Sequence, residues 1–386
     1  MKTEKKPLSI YVHIPFCVRK CLYCDFLSAP ADQQTKENYV KCLREEIRQN
    51  SFAFKDHEVQ TVFFGGGTPS VLPEEKIAAF LGEIRQSFAL SREAEISIEV
   101  NPGTVSFEKL SAYREMGINR LSIGLQSAID EELEALGRIH TVKDFYETYQ
   151  NAVKSGFNNI NVDLMSAIPG QTVESYRETL NRVLSLAPPP THISAYSLII
   201  EEGTYFYEHT PELPDEETDR ELYKITNEIL KEKGYHRYEI SNYAREGYEC
   251  RHNKVYWKRG EYLGFGIGAA SLADNVRFSN IRDINEYLRT SDYSRIRSDR
   301  QVLSAEEQME EFMFLGLRLT CGVSFREFEE SFGKSVEEIY PGVIERLENK
   351  GLLCISHDEQ GKQTGICLTE FGLDVSNRVM AEFLLT

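Results

Sequence analysis

The first two thirds of the sequence alternate short apolar runs with longer segments of helical apolar spacing. The apolar runs predict six strands, over Leu8–Ile14, Val59–Phe64, Glu95–Val100, Asn119–Gly124, Asn159–Met165 and His192–Ile199. The segments between them predict helices, over Lys36–Gln49, Pro73–Phe88, Ser106–Glu115, Asp130–Leu136, Val142–Ser155 and Val173–Leu186. Such alternation is typical of βαβ units with a parallel sheet. The pattern therefore predicts an α/β fold, a partial (β/α)6 TIM-like barrel whose site lies at the carboxyl ends of its strands.

The pattern changes beyond Glu201. One long helix is predicted over Asp215–Gly234, and Tyr235–Ala273 is expected to be irregular or short-stranded. Three helices are then expected, followed by two strands about a polar turn, at Ser304–Thr320, Ser324–Phe332, Tyr340–Lys350, Leu352–Ser356 and Ile366–Thr369. This order predicts a smaller C-terminal α+β winged-helix-like domain with a packing or protein-contact role. We expect a core at 1–235, a connecting region at 236–297 and a C-terminal domain at 298–386.

The net charge of −17, from 61 acidic and 44 basic residues, argues against nucleic acid as a partner, because binding phosphates needs clustered lysine and arginine. The N-terminal segment lacks an apolar core and no apolar run reaches the roughly 18 residues of a transmembrane helix. We therefore expect a cytoplasmic protein without a transmembrane segment.

Three of the eight cysteines, Cys17, Cys21 and Cys24, stand at C-x3-C-x2-C spacing directly after the first predicted strand. Thiolates at this spacing favour an iron–sulfur cluster. A zinc site would usually need four protein ligands, and a disulfide is disfavoured in the cytosol. Three thiolates for four irons would leave one iron open. The cysteines in amphipathic or strand-like contexts are predicted to be buried, inert thiols: Cys42, Cys321, Cys354 and Cys367.

Residues with suitable chemistry follow the later strands. The Gly65–Thr68 turn lets the backbone approach a ligand closely, because its glycines lack side chains. Glu99 is an acid suited to hydroxyl or ammonium groups, and Arg138 is suited to a carboxylate. Gln126 ends the fourth strand, and Asp163 interrupts an apolar strand, so it is expected to face a polar cavity. The nearby histidines His13 and His140 are predicted to have packing or hydrogen-bonding roles.

Two motifs carry a family resemblance. The stretch Tyr-x-His-Ile-Pro-Phe-Cys-x3-Cys-x-Tyr-Cys, beginning at Tyr11, and the later Phe-Gly-Gly-Gly-Thr-Pro resemble the radical S-adenosylmethionine (SAM) superfamily. More narrowly, they resemble its branch of oxygen-independent coproporphyrinogen III oxidases (HemN) and HemW proteins. The resemblance implies a [4Fe–4S] cluster whose open iron is chelated by SAM, and reductive cleavage of SAM to a 5′-deoxyadenosyl radical. The positions that match SAM-contacting residues are Tyr11, Tyr23, Gly66, Gly67, Thr68, Glu99, Gln126, Arg138 and Asp163.

Two departures distinguish this chain from the oxidases that it resembles. Those enzymes carry a further cysteine two residues after the third one, where this chain has Phe26. They also have an extension before the cluster motif that is implicated in substrate handling, whereas only ten residues precede Tyr11 here. Both departures weaken the expectation of coproporphyrinogen decarboxylation, which stays the alternative function.

The segment Arg251–Arg259 contains the only tryptophan of the chain beside a histidine and a tyrosine, among four cations. Without context it would be an amphipathic surface strand. Its His-Asn-x-x-Tyr-Trp sequence resembles the haem-binding motif of HemW-type haem chaperones, which makes His252 the candidate axial ligand. Cys250 is an alternative ligand. The Gly-rich run at Gly264 is superficially like a dinucleotide loop, but no βαβ frame precedes it, so a packing role is expected.

The resemblance therefore implies a haem chaperone with haem as cargo. It further implies an electron donor and a haem-acceptor protein of the respiratory or membrane-associated class. A homodimer stays an open alternative to a monomer.

Overall fold

The structure, a computed structural model, describes residues 5–385. Its strands are β1 Lys6–Ile14, β2 His57–Gly66, β3 Ala89–Val100, β4 Arg120–Gln126, β5 Ile160–Ser166, β6 His192–Ser197, β7 His236–Arg237, β8 Asn242–Ala244, β9 Tyr262–Phe265, β10 Ala270–Ala273, β11 Val276–Asn280, β12 Arg297–Val302, β13 Val323–Ser324, β14 Leu353–His357 and β15 Gln363–Leu368.

The helices alternate with the first six strands and then dominate the C-terminal part. They are α1 Gln33–Asn50, α2 Glu74–Ser87, α3 Phe107–Glu115, α4 Asp130–Ala135, α5 Val142–Lys154, α6 Val173–Leu184, α7 Tyr205–Glu208, α8 Glu216–Glu232, α9 Arg251–Trp257, α10 Ile284–Arg289, α11 Ala305–Gly316, α12 Phe325–Phe332, α13 Val336–Ile339, α14 Val343–Asn349, α15 Glu370–Asp374 and α16 Ser376–Met380, with 3-10 turns at Ser51–Phe54, Pro69–Val71 and Ala381–Phe383.

One large sheet organises the fold, with strand order β12-β11-β10-β9-β1-β2-β3-β4-β5-β6-β8-β7. The strands from β9 through β1 to β6 pair in parallel, and the outer strands pair antiparallel. The predicted α/β fold, with a mostly parallel sheet and a small C-terminal sheet, is confirmed. The sequence pattern missed β9 as a parallel neighbour of β1, because β9 is only four residues long and lies far along the chain from β1.

The two faces of the parallel strands differ in polarity. Side chains alternate between the faces of a strand, so every second residue faces the same way. The outward positions are apolar and pack in the main core with the surrounding helices, at Ile10, Val12, Val62, Phe64, Ile96, Ile98, Leu121, Ile123, Val162, Leu164 and Ile193. The alternate positions face a common polar interior, at Tyr11, Phe63, Glu99, Arg120, Ser122, Asn161, Asp163 and Ser194. The sheet therefore curves around a polar centre, as in a barrel.

The C-terminal unit has a separate hydrophobic core. The small sheet has the order β13-β15-β14, and residues such as Met313, Phe328 and Ile366 are buried between it and the helices α11–α16. The division of the chain at 235 and 297 stays a prediction.

Two predictions about this half of the chain were wrong. The segment Tyr235–Ala273 contains the helix α9, because the carboxylate of Glu95 accepts the backbone N–H groups of Arg251 and His252, both at 3.0 Å, and so caps the first turn. Cys321 and Cys354 are exposed, so the prediction of buried thiols was wrong for these two; Cys367 is half-buried, and Cys42 is half-buried against the main core. Strand alternation explains Cys354, whose neighbour Leu353 takes the inward position.

A buried carboxylate joins the β9–β11 extension to the barrel. Glu46 on α1 accepts hydrogen bonds from Gly266 N (2.9 Å), Asn280 Nδ2 (2.7 Å) and Tyr287 Oη (2.5 Å). All three partners donate, so a carboxylate suits the site and an amide does not.

We expect Glu46→Gln to lower the free energy of unfolding by about 1–3 kcal/mol, because the new NH2 group would face buried donors. The matched control is Glu45→Gln on the same helix, where the half-exposed Glu45 pairs with Arg48 near the surface. Such surface pairs contribute only about 0–1 kcal/mol. Denaturant unfolding of both variants measures the difference, and equal losses would show that Glu46 is not a structural joint.

Candidate functional site

The carboxyl ends of the parallel strands surround a cavity of about 480 Å³, the mouth cavity. Most residues singled out in the sequence line it, namely Cys17, Cys21, Tyr23, Cys24, Gly66, Gly67, Thr68, Glu99, Gln126, Arg138 and Asp163. Tyr11 does not line it and lies deeper in the barrel. The structure thus brings together side chains that are more than 140 residues apart in sequence.

The cysteine loop follows β1 and is held at its base and its tip. A backbone hydrogen bond from Cys17 N to Ala29 O (3.2 Å) closes the base, and Cys24 N donates to Cys21 O (3.3 Å) in a turn. Leu22 N donates to Leu136 O (3.1 Å), which ties the tip to the loop after α4. Phe26, at the position of the extra cysteine in the oxidases, is 60% exposed at the cavity edge.

The Gly66–Thr68 turn lies against this loop. Gly67 N donates to Ile14 O (2.9 Å) and Thr68 N donates to Phe16 O (2.8 Å). Gly66 has φ +111°, and a Cβ there would lie 2.5 Å from the His13 ring, so only glycine fits. The Thr68 hydroxyl donates to Cys17 Sγ at 3.5 Å. His13 is buried and its Nε2 donates to Leu27 O (2.9 Å), which fits the predicted packing role.

Two carboxyl groups lie deep inside the barrel below the loop. Desolvation and the nearby Asp163 raise the pKa of Glu99 to about 8, although Gly66 N donates to it at 3.1 Å. Desolvation likewise raises the pKa of Asp163, which accepts from Asn161 Nδ2 (2.7 Å) and Ser122 Oγ (3.4 Å). At neutral pH, Glu99 is therefore largely protonated until a cation or an additional donor arrives.

Arg138 crosses the mouth from the loop after α4. Its Nη2 donates to Asn101 Oδ1 and to Gly124 O, both at 2.8 Å, and its Nη1 donates to Cys21 Sγ at 3.6 Å. Its buried Nε has no hydrogen-bond partner in the described chain. Gln126 accepts from Tyr196 Oη (3.0 Å) and has φ +75° at the end of its strand. The predicted packing role of His140 agrees with its burial beside Leu125 O.

These contacts fit a four-iron cluster better than a single ion. Within residues 5–385, no group of three or more His, Cys, Asp or Glu side chains could hold one metal ion. The three loop thiols instead line a shared cavity, as needed when each thiolate binds a different iron. The Thr68 hydroxyl and the Arg138 guanidinium already donate to two of the sulfurs, those of Cys17 and Cys21.

The segment that resembles a haem-binding motif, Arg251–Arg259, lies at the end of the barrel opposite the mouth cavity. There a second cavity of about 220 Å³, the floor cavity, is lined by Tyr11, Phe63, Glu99, Arg120, Ser122, Asn161, Asp163, Ser194, His252, Asn253 and Tyr256. Glu99, Ser122, Asp163 and Ser194 line both cavities, so they form the partition between them. The helix α9 closes this floor.

His252 is 1% exposed and both of its ring nitrogens have partners. Nδ1 lies 2.7 Å from Thr61 Oγ1 and Nε2 lies 2.8 Å from Tyr256 Oη, and the ring stacks on Phe63. Burial and the nearby Arg120 lower the pKa of His252 to about 3, so the imidazole is neutral. A neutral imidazole is the form that binds metals, but an iron would have to replace one of these partners.

The other members of the motif point elsewhere. Trp257 packs under Arg318, whose guanidinium carbon lies 4.2 Å from the ring centroid. Two of the four cations of the motif already have partners, since Arg259 is paired with Glu311 at 3.1 Å and Arg251 donates to Glu93 O at 2.6 Å. Cys250 is fully buried, and burial raises its pKa to about 12. Tyr256 contacts His252 at the floor, whereas Trp257 contacts Arg318, so the two rings do not form one surface.

Sequence reasoning missed three residues of these sites. Asn101 connects Arg138 to Thr68, and Tyr196 holds Gln126. Asn101 comes directly after β3, and Tyr196 stands near the end of β6. A search for polar residues at strand ends, which predicted Glu99, would also have found these two. Arg120 is 2% exposed at the floor, and within the described chain its Nε has no partner. No motif marks it.

Two family models match the chain. Residues 11–183 match the radical SAM superfamily, and residues 303–375 match the HemN C-terminal domain. Within residues 5–385, no helix is long and apolar enough to cross a membrane.

Curated relatives cover from two thirds to nearly all of the chain. A protein named "Heme chaperone HemW" from Bacillus subtilis is 37% identical, over 97% of this chain and 99% of its own length. A protein of the same name from Escherichia coli is 40% identical over 68% of this chain and 69% of its own length. The solved structure of coproporphyrinogen III oxidase (HemN) from Escherichia coli matches with a TM-score of 0.86, at 24% identity, over 99% of this chain and 91% of that one. That likeness concerns the fold.

We expect Cys21→Ser to abolish the visible iron–sulfur absorbance after anaerobic reconstitution, because one of three ligands is lost. Cys42→Ser, a thiol outside the mouth cavity, should reconstitute like the wild type. Iron and sulfide content measured alongside the spectrum checks this. Full retention of the absorbance in Cys21→Ser would show that the cysteine loop does not hold the cluster.

Proposed function

Because this chain belongs to the HemW family of haem chaperones within the radical SAM superfamily, we propose that it binds haem and delivers it to acceptor proteins. The observation that carries the proposal is the near-full-length likeness to proteins named for that activity. Conversion of coproporphyrinogen III to protoporphyrinogen IX is the second candidate, since the fold is that of the oxidase.

The residues of the mouth cavity favour haem carriage over the oxidation of coproporphyrinogen III. Phe26 occupies the position of the oxidases' additional cysteine and leaves an exposed apolar ring at the cavity edge. A phenyl ring can neither ligate iron nor transfer protons, so any chemistry that depends on that thiol is lost. The missing thiol bears on which product the protein could make. It does not change the residues proposed for the cluster and SAM.

We propose that Cys17, Cys21 and Cys24 hold a [4Fe–4S] cluster and that the surrounding residues bind SAM. When bound, cluster and SAM supply one-electron cleavage chemistry at the mouth. Glu99 and Asp163 suit the hydroxyl and ammonium groups of SAM, and Gly66 and Gly67 allow close backbone approach. Arg138 suits a carboxylate, since its Nε is still without a partner in the described chain. Tyr23, Thr68 and Gln126 complete the proposed set at the mouth, whereas the SAM contact of Tyr11, which lines the floor cavity instead, stays a prediction.

We propose His252 as the axial ligand of haem, in a state in which α9 has moved from the floor. The floor cavity of about 220 Å³ is smaller than the roughly 300–1,000 Å³ of ordinary small-molecule sites, so a haem needs more room than it offers. Nε2 must also leave Tyr256. Seven residues form α9, and the glycines Gly247 and Gly260 flank it. Once Nε2 is free of Tyr256, it can bind the iron.

The remaining assignments follow the family. An electron donor and a haem-acceptor protein of the respiratory or membrane-associated class are the proposed partners. The cytoplasmic location and the choice between monomer and homodimer stay predictions.

The test of the proposal runs two assays side by side on anaerobically reconstituted protein. We expect haem to bind and to transfer to an apo-acceptor, and we expect coproporphyrinogen III to stay unconverted in the presence of SAM and reductant. An authentic oxidase serves as the positive control for the second assay. Turnover to protoporphyrinogen IX with SAM consumption would establish the alternative function.

A second test addresses the ligand. Tyr256→Phe keeps the ring but removes the hydroxyl that holds His252 Nε2, so we expect haem affinity to rise about 2- to 10-fold, the equivalent of one hydrogen bond of about 0.5–1.5 kcal/mol. His252→Ala should lower affinity strongly and shift the Soret band. The control is His357→Ala in the C-terminal hairpin. Unchanged haem binding in both Tyr256→Phe and His252→Ala would exclude His252 as the ligand.

A further inference from the structure

The C-terminal sheet presents two thiols in direct contact. Cys354 on β14 and Cys367 on β15 are paired partners in the antiparallel ladder, and their Sγ atoms lie 2.8 Å apart. Their neighbours Leu353, Ile366 and Leu368 belong to the buried core of this unit, so alternation along the strands puts both cysteines on the outward face. Cys354 is exposed and Cys367 is half-buried.

We propose that Cys354 and Cys367 form a redox-active dithiol site, which a low-molecular-weight disulfide oxidises reversibly to a cross-strand disulfide. Directly opposed strand residues have Cβ atoms about 4.5–5.5 Å apart, a little beyond the roughly 3.5–4.5 Å of a disulfide, so a small strand adjustment closes the bond. Each sulfur already points at the other. Neither cysteine is among the residues proposed for the cluster or for haem.

A groove of about 680 Å³, large enough for a peptide-sized reagent, lies beside these thiols. It lies between the end of α9 and the C-terminal unit and is lined by Trp257, Phe312 and Cys321, among others. Ser356, two residues after Cys354, and Gly365, two residues before Cys367, line it too. The dithiol therefore lies at the edge of a groove of small-molecule size.

The exchange balances without a further oxidant. The thiolate of Cys354, the exposed member, attacks one sulfur of the disulfide reagent, and the first reagent thiolate leaves. Cys367 then loses its proton to solvent and attacks the Cys354 sulfur, which releases the second reagent thiol. The two cysteines lose two electrons and the reagent gains them. Burial and the adjacent thiols of Cys354 and Cys321 raise the pKa of Cys367 to about 12, consistent with its acting second.

The sequence makes the product easy to detect. Lys362 in the hairpin turn separates the two cysteines on tryptic digestion, so an internal disulfide joins the peptides 351–362 and 363–378. Cys321 falls in a third peptide, 319–326. Cys321 is exposed and precedes Gly322, where a Cβ would lie 2.7 Å from the Cys367 Cβ, so Cys321→Ser is the matched control for a neighbouring thiol.

The experiment exposes the full-length, anaerobically reconstituted protein to graded ratios of glutathione to glutathione disulfide, followed by alkylation and peptide mass spectrometry. We expect the wild type and Cys321→Ser to give the joined pair 351–362/363–378, and dithiothreitol to reverse it. Cys354→Ser and Cys367→Ser should reduce that pair to background. Only glutathione adducts in the wild type, or a disulfide between Cys321 and Cys367 in its place, would overturn the proposal. The wild-type result decides even if a variant folds poorly.

Discussion

The structure depends on the parallel alignment of the strands from β1 to β6. Their carboxyl ends meet at one edge, so residues from each βα unit face the mouth cavity whatever their distance in sequence. The hydrogen-bonded ladder also fixes which residues are level with each other: Gly66 pairs with Ile14 beside the cysteine loop, and Gly124 pairs with Asp163. Without this alignment, the three thiols, Arg138 and the carboxyl groups would not share one cavity.

Alternation along the same strands gives the barrel a polar centre with two chambers. The mouth cavity and the floor cavity are separated by Glu99, Ser122, Asp163 and Ser194, which line both. The cysteine loop covers one end and α9 covers the other. The proposed cofactor and the proposed cargo ligand thus occupy opposite ends of one interior. His252 lines the floor cavity and contacts Thr61 on β2.

Much of this arrangement could be predicted from the sequence, because strand period and strand-end motifs are local signals. The six strands, the mouth residues and the winged C-terminal unit follow from such signals. The burial of His252 could not be predicted, since it depends on Glu95 capping α9 from a strand more than 150 residues earlier in the chain. The exposure of Cys354 depends on which face of a short hairpin meets the core. β9 gives too short a signal to be assigned to a parallel ladder.

The central claim is that cluster and haem lie at opposite ends of the barrel, and pulsed electron paramagnetic resonance tests it most directly. The measurement is the distance between the reduced cluster and a paramagnetic haem in one protein molecule. Thr61, which contacts His252, and Gly66, beside the cysteine loop, are five residues apart on β2, so at about 3.3 Å per residue we expect at least roughly 17 Å. Exchange coupling between two centres in contact would contradict the account, because it would mean that haem sits in the mouth, against the cluster.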